Sequence, residues 1–229
     1  MTSPYSARRY NAGRNNSQDV NFQTRYQYDA LQLDPHKTRM PMQRLVRSVI
    51  LLAMLGLSLA SQHAVAENPR VNITTSFGGI QIELLEEMAP LTVAHFLQLV
   101  DSGFYDGLVF HRVIENFMIQ GGGYTTEYKY VTVGNRVKNE SANGLRNLPG
   151  TVAMARLSDP DSADSQFFLN VAENPHLDAT PGNPGYTVFG QIVGGAEVVE
   201  QIELVNTHLK AGMAAVPEEP VVIISIQRI

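Results

Sequence analysis

A single fixed cation in an apolar run constrains this chain more than any other feature. From Phe110 to Gly123 it reads FHRVIENFMIQGGG. Phe110, Val113 and Ile114 surround Arg112, and Phe117, Met118 and Ile119 follow within one turn's length. The pattern predicts two strands folded back on each other. An arginine keeps its charge at any physiological pH and offers five donors in a rigid fork. Apolar surroundings disfavour it unless the fork meets an acceptor. Either Arg112 reaches solvent at a sheet edge, or it serves a site. A second stretch, SQFFLNVAENPHLD from Ser165 to Asp178, repeats the ingredients: a polar amide, two adjacent Phe, and Leu177 beyond a turn.

The pattern around these stretches is one of short strands. Val71, Ile73, Thr75 and Phe77 alternate with polar residues, as do Ile80, Ile82 and Leu84. Gly78-Gly79 between them predicts a hairpin with a two-residue turn. Pro90 and Thr92 open a helix with Val93, Phe96, Leu97 and Val100 on one face, and Gly103 closes it. From Gly121 to Leu148 glycine, Asn, Tyr and charge dominate, which predicts long loops with short strands. Thr151 to Ala155, Gln166 to Val171 and Tyr186 to Ile192 read as strands. Val198, Ile202 and Val205 sit at helical spacing, and Val221 to Ile226 forms a closing strand. Many short strands, two helices and Gly-rich turns point to an all-β barrel or sandwich, and pattern alone leaves both open.

Several chemistries drop out. The chain has no Cys, which removes disulfides, thiol catalysis and thiolate metal sites. His36, His63, His95, His111, His176 and His208 show no paired spacing, so no metal is expected. Gly121-Gly122-Gly123 lacks the Lys-Ser/Thr of a phosphate loop. Asp159, Asp161 and Asp164 lack the Gly and terminal Glu of a calcium loop and read as a solvated acidic turn. Ser165 lies in no G-x-S-x-G elbow, which removes that hydrolase reading. His111 reads as structural rather than as an acid or base.

The amino end suggests export. Met42 to Ala66 reads MQRLVRSVILLAMLGLSLASQHAVA. Arg44 and Arg47 form a basic start, Val49 to Ala60 an apolar core, and Ala64-Val65-Ala66 a small-residue cleavage site. A spanning helix needs about 20 apolar residues, and Ser61, Gln62 and His63 interrupt the run too early. Residues 40–66 are therefore read as a signal peptide cut after Ala66, with residues 67–229 as the exported domain. The polar leader over residues 1–39 has the composition of a disordered tail and conflicts with a signal that should start the chain. Translation is expected to begin at Met40 or Met42. Residues 1–66 carry 8 Lys and Arg against 3 Asp and Glu, and residues 67–229 carry 9 against 19. The net charge of −10 on the domain argues against nucleic acid or anionic membranes as partners.

Four ordered segments resemble the cyclophilin family of peptidyl-prolyl isomerases. FHRVI…FMIQGG and SQFF match its two signatures, and GTVAMAR (Gly150 to Arg156) and GYTVFGQIVGG (Gly185 to Gly195) match two more. The similarity runs from about Val71 to the carboxyl end. KNE…NGLRN, from Lys138 to Asn147, is similar to the periplasmic cyclophilins of Gram-negative bacteria. The resemblance implies a closed eight-stranded antiparallel barrel with a helix across each end and a groove on its outer face. It implies an isomerase of X–Pro bonds that needs no cofactor, acts on proline-containing segments of unfolded or partly folded exported proteins, and works in the periplasm as a monomer without stable membrane association. Arg112 is then the catalytic residue. Phe117, Met118, Phe168 and Leu177 hold the proline ring, the Gln120 and Gln166 amides hold the substrate backbone, and Ala155 and Arg156 border the groove with main chain available to a peptide.

Three positions depart from the best-known members. His176 stands where many eukaryotic cyclophilins carry Trp, Tyr186 where they carry a groove His, and Arg156 where they carry Asn. With the indole N–H gone, weak binding of cyclosporin-type ligands is expected, while catalysis survives on the intact arginine and apolar wall. The rival reading is a non-catalytic periplasmic chaperone or proline-peptide binder. The intact Arg112 favours the enzyme.

Overall fold

A computed structural model describes residues 67–229. The proposed leader and signal peptide lie outside the described residues. Eight of the ten strands among the described residues close into an antiparallel barrel. These are β1 (Arg70–Thr75), β2 (Gly78–Leu84), β3 (Leu108–Ile114), β4 (Met118–Thr125), β5 (Thr151–Met154), β6 (Phe167–Asn170), β7 (Val188–Gly194) and β10 (Val221–Arg228). Around the barrel the order is β1-β10-β3-β4-β6-β5-β7-β2. Closure removes the exposed edges that would otherwise template aggregation. Of the two architectures that pattern left open, the protein adopts the barrel.

Alternation fills the interior. Val71 and Ile73 of β1, Ile80, Ile82 and Leu84 of β2, and Phe110, Ile119, Phe167, Leu169 and Phe189 are fully or almost fully buried in one cluster. Two helices cap the barrel. α1 (Pro90–Asp101) sends Phe96 into the cluster, where its ring meets Tyr105, Phe167 and Phe189 at centroid distances of 5.4, 5.6 and 5.1 Å. Its residue before the first turn, Ala89, supplies no side-chain cap. Glu140 does so from far along the chain, accepting from the Leu91 and Thr92 amides at 3.1 and 2.8 Å. A carboxylate there pairs unmet N–H groups and opposes the helix dipole. α2 (Ala196–Glu203) buries Val198, Val199 and Ile202, and it ends before Val205, which packs on the core from the following segment.

Other boundaries also differ from the expectation. The β1–β2 turn is Ser76-Phe77, because Thr75 pairs with Gly78. The Thr75 hydroxyl accepts from both Phe77 and Gly78 amides and donates to the Gly78 carbonyl, pinning the turn two residues early. Gly78 is glycine for a packing reason: a Cβ there would lie 2.8 Å from Val198 Cγ2 of α2. Gly121 to Thr125, at the start of the region expected as long loops with short strands, belong to β4. Tyr186 and Thr187 precede β7. The hairpin β8 (Thr207–Lys210) and β9 (Met213–Pro217) was not foreseen. Its turn, Ala211-Gly212, has both residues at positive φ, 53° and 77°, without the Asn-Gly signature that usually announces one. With Tyr128, Val109 and Val216 it forms a small layer on the outer face of β3.

Candidate active site

A break in the β3–β4 ladder creates the site. Phe110 pairs with Gly121 and Arg112 with Gln120, so His111 and Arg112 together face one step of the partner strand. Such a bulge re-aims side chains. Phe110 and Val113 stay in the core, while His111 and Arg112 leave it. The β3–β4 turn passes through Asn116 at φ 56°, a left-handed conformation that Asn tolerates. Phe117 then stands at the edge of the same outer face.

There a second apolar cluster forms, distinct from the barrel core. Met118, Ala153, Phe168 and Val188 are buried in it, with Phe117, Leu145, Ala155, Leu177 and Tyr186 partly buried around them. A hollow of about 180 Å³ opens on it, lined by Arg112, Phe117, Met118, Gln120, Ala155, Arg156, Phe168, Leu177 and Tyr186. The sequence-predicted residues thus converge, with two exceptions. Gln166 stands one step outside and lines an adjoining pocket of about 400 Å³ that shares Gln120, Ala155 and Arg156 with the hollow. His176 is exposed, stacks on Phe117 with ring centroids 5.4 Å apart, and does not line the hollow.

Arg112 is half-buried and lightly held. Nη1 donates to Gln120 Oε1 at 3.4 Å and approaches Met118 Sδ at 3.9 Å. The guanidinium carbon lies 5.9 Å from the Phe117 ring centroid. Among the described residues no carboxylate pairs with it. Burial disfavours its charge, and the Tyr186 phenol partly restores it. The acceptor anticipated for the fork is therefore only a neutral amide. Gln120 in turn donates from Nε2 to Gln166 Oε1 at 2.9 Å. Gln120 thus bridges Arg112 and Gln166.

Main chain at the rim is partly committed. The Ala155 amide, expected to be available, donates to the Gln166 carbonyl at 2.9 Å. Its carbonyl and the Arg156 main chain are what remain for a peptide. His111 is buried, packed on Tyr124 at 4.5 Å. Burial first, then the Arg112 charge, pushes its pKa down to about 4 against a bond to the Val109 backbone. It is neutral at physiological pH and points away from the hollow's lining.

Sequence reasoning missed the scaffold behind the wall. Asn174 Nδ2 donates to the Phe117 carbonyl at 2.9 Å and to Asn170 Oδ1 at 2.7 Å. Asn170 continues to Asn147 Oδ1 and Thr151 Oγ1. Asn147 donates twice to Asp178 Oδ1, and Arg146 pairs with Oδ2 at 3.1 Å. These amides tie the Phe117 turn to the loop bearing His176 and Leu177. The only sequence signal was the density of Asn from Lys138 to Asn174, which reads equally as loop.

The match to known proteins agrees with this geometry. The family model "Cyclophilin type peptidyl-prolyl cis-trans isomerase/CLD" matches residues 70–228. A peptidyl-prolyl cis-trans isomerase of Acinetobacter baylyi is 48% identical over 174 residues, covering 76% of this chain and 92% of the relative. Peptidyl-prolyl cis-trans isomerase A of Dickeya dadantii is 44% identical over 180 residues, covering 79% and 94%. A crystal structure of a cyclophilin-type isomerase of Cryptosporidium parvum, in the presence of the dipeptide Ala-Pro, superposes with a TM-score of 0.58 at 27% identity, covering 69% of this chain and 96% of that one.

Proposed function

Because the chain belongs to the cyclophilin-type peptidyl-prolyl cis-trans isomerases, and is an enzyme of that class, we propose that the hollow beside Arg112 is where it turns the bond before proline. Rotation must break amide resonance, against a barrier of about 18–20 kcal/mol. X–Pro bonds populate both isomers and exchange over tens to hundreds of seconds unaided. No nucleophile is required. The site must fit the twisted amide better than either planar form. As the amide twists, the prolyl nitrogen pyramidalises and gains a lone pair. A cationic donor placed there stabilises that state alone.

One observation carries this reading: Arg112 holds unmet donors at the rim of an apolar hollow and has no carboxylate partner among the described residues. Phe117, Met118, Phe168 and Leu177 would grip the proline ring. The Gln166 amide and the Ala155–Arg156 main chain would hold the flanking backbone. The Cryptosporidium relative's exposure to Ala-Pro, a minimal X–Pro unit, supports the choice of ligand. Arg112→Ala is expected to cut the isomerisation rate about 10²–10³-fold, the usual effect of losing one transition-state donor. Most peptide affinity should remain, and Arg112→Lys should not restore the rate, because a point charge lacks the fork. Equal losses of rate and affinity would make Arg112 a binding residue instead.

The setting proposed is the folding of exported proteins in the periplasm. The supporting observation is the basic–apolar–small pattern over residues 40–66. In addition, the 180-residue match to the Dickeya relative is longer than the stretch from Glu67 to Ile229 and so reaches upstream of it. Amino-terminal sequencing of the protein from its native host should read from Glu67. A peptide from within Tyr5 to Arg39 in the mature protein would overturn this.

A further inference from the structure

Arg156 is a second guanidinium at the hollow, and it is held far more firmly than Arg112. Nε donates to the Gly185 carbonyl and Nη1 to the Leu157 carbonyl, both at 2.8 Å. Its plane lies over the Tyr186 ring, 4.5 Å from the centroid. Two of the three nitrogens and one face are thereby fixed, while Nη2 makes no hydrogen bond to any described residue. All of these partners are uncharged, and among the described residues no carboxylate lies within ion-pair distance. Carbonyls and a ring orient a guanidinium without neutralising it. The arrangement leaves one pre-aligned charged donor, Nη2, suited to an anion, between the hollow and the adjoining pocket, both of which Arg156 lines.

The surrounding charge has the same sign. Together the two linings carry Arg112, Arg136 and Arg156 against one carboxylate, Asp164. That carboxylate is oriented by the Tyr130 and Thr132 hydroxyls on one oxygen and the Ser165 amide on the other, which leave its charge in place, so three cations face one anion. Arg136 reaches Asp159 at 3.8 Å, with both side chains exposed, so that pair is weak. A positive groove on a domain that carries 9 Lys and Arg against 19 Asp and Glu focuses its field on whatever enters.

We propose that Arg156 is a specificity-determining residue that makes this enzyme favour proline bonds flanked by an acidic residue. The inference rests on the Arg112 hollow being the substrate site. A peptide laid across that hollow passes Arg156, and a carboxylate side chain next to the proline meets the open Nη2 donor. A lysine in the same place meets repulsion from two cations.

The test measures kcat/KM by NMR exchange for the full chain on matched peptides bearing Glu, Gln or Lys immediately before or after Pro. A Glu-over-Lys preference of about tenfold is expected at one of the two flanks, the factor supplied by one charge-assisted hydrogen bond at a half-exposed site. It should shrink towards one in raised salt and in Arg156→Gln, and keep its sign at reduced size in Arg156→Lys. The ratio is the readout, so any general loss in the variants cancels. A ratio near one at both flanks in the unmodified protein overturns the proposal, as does a preference that survives in Arg156→Gln. Should that variant not fold, a salt-insensitive ratio in the unmodified protein overturns it equally. Failure of the underlying site assignment looks different: Arg112→Ala would then turn over the Gln peptides as fast as the unmodified protein.

Discussion

Arg112 and His111 are chain neighbours displaced together by one bulge, yet their environments differ in kind. Arg112 keeps its charge at a half-buried rim, where a reacting amide could use it. His111 is sealed behind it with Nδ1 unpaired, and burial holds its pKa down to about 4 against an unfolded value near 6.5. The folded state therefore binds the proton less well than the unfolded chain between these values. Stability from this group is complete above the unfolded pKa and is lost as pH falls towards 4, by roughly 3 kcal/mol in all. Below that, both states are protonated and the loss stops. Chemical denaturation between pH 7 and 4 should show this slope, and His111→Leu should flatten it, whatever its cost at pH 7. An unchanged slope in the variant would assign the acid sensitivity elsewhere.

At the level of the element, β4 shows how a strand can be built around missing side chains. A Cβ on Gly121 would lie 2.7 Å from Phe110 Cδ1, and one on Gly123 would lie 2.5 Å from Gln166 Cγ. Gly122 has φ 82° and sits against the Ser165 carbonyl. The three glycines therefore let a core ring on one side and a site amide on the other press against the same backbone. Their roles separate on substitution. Gly123→Ala meets only a flexible side chain, so it should cost less than about 1 kcal/mol in stability. It should raise KM several-fold by swinging Gln166 off Gln120. Melting and steady-state kinetics together check this, and a variant with unchanged KM would remove Gln166 from the binding surface. The same segment explains why the strand runs further than its pattern announces: three glycines in a row read as loop, because the packing that demands them comes from β3 and from the residues entering β6.

Across the whole molecule, one core fills one closed barrel, and both helices bury their apolar faces in that core. The fragment of residues 67–229 is therefore expected to unfold in a single cooperative step and to match the full chain in kcat/KM. Two transitions by calorimetry, or a large drop in activity, would contradict it. Local patterning was enough to mark most strands and both helices, because period-2 alternation and helical spacing are written into neighbouring positions, while Phe117, Met118, Phe168 and Leu177 of the wall were marked only by the family resemblance. Four matched motifs supplied the choice of barrel over sandwich. The outer-face cluster, the bulge that turns Arg112 out of the core, the Asn ladder behind Phe117, and the Glu140 cap on α1 are set by partners from 8 to 70 residues apart, the last being Met118 and Val188. Sequence by itself determined which residues are apolar, charged or turn-forming, since those are properties of single side chains and their near neighbours. Only the tertiary structure decided which face each one occupies and which donors stay unmet, since burial and hydrogen-bond pairing exist only once distant segments have met.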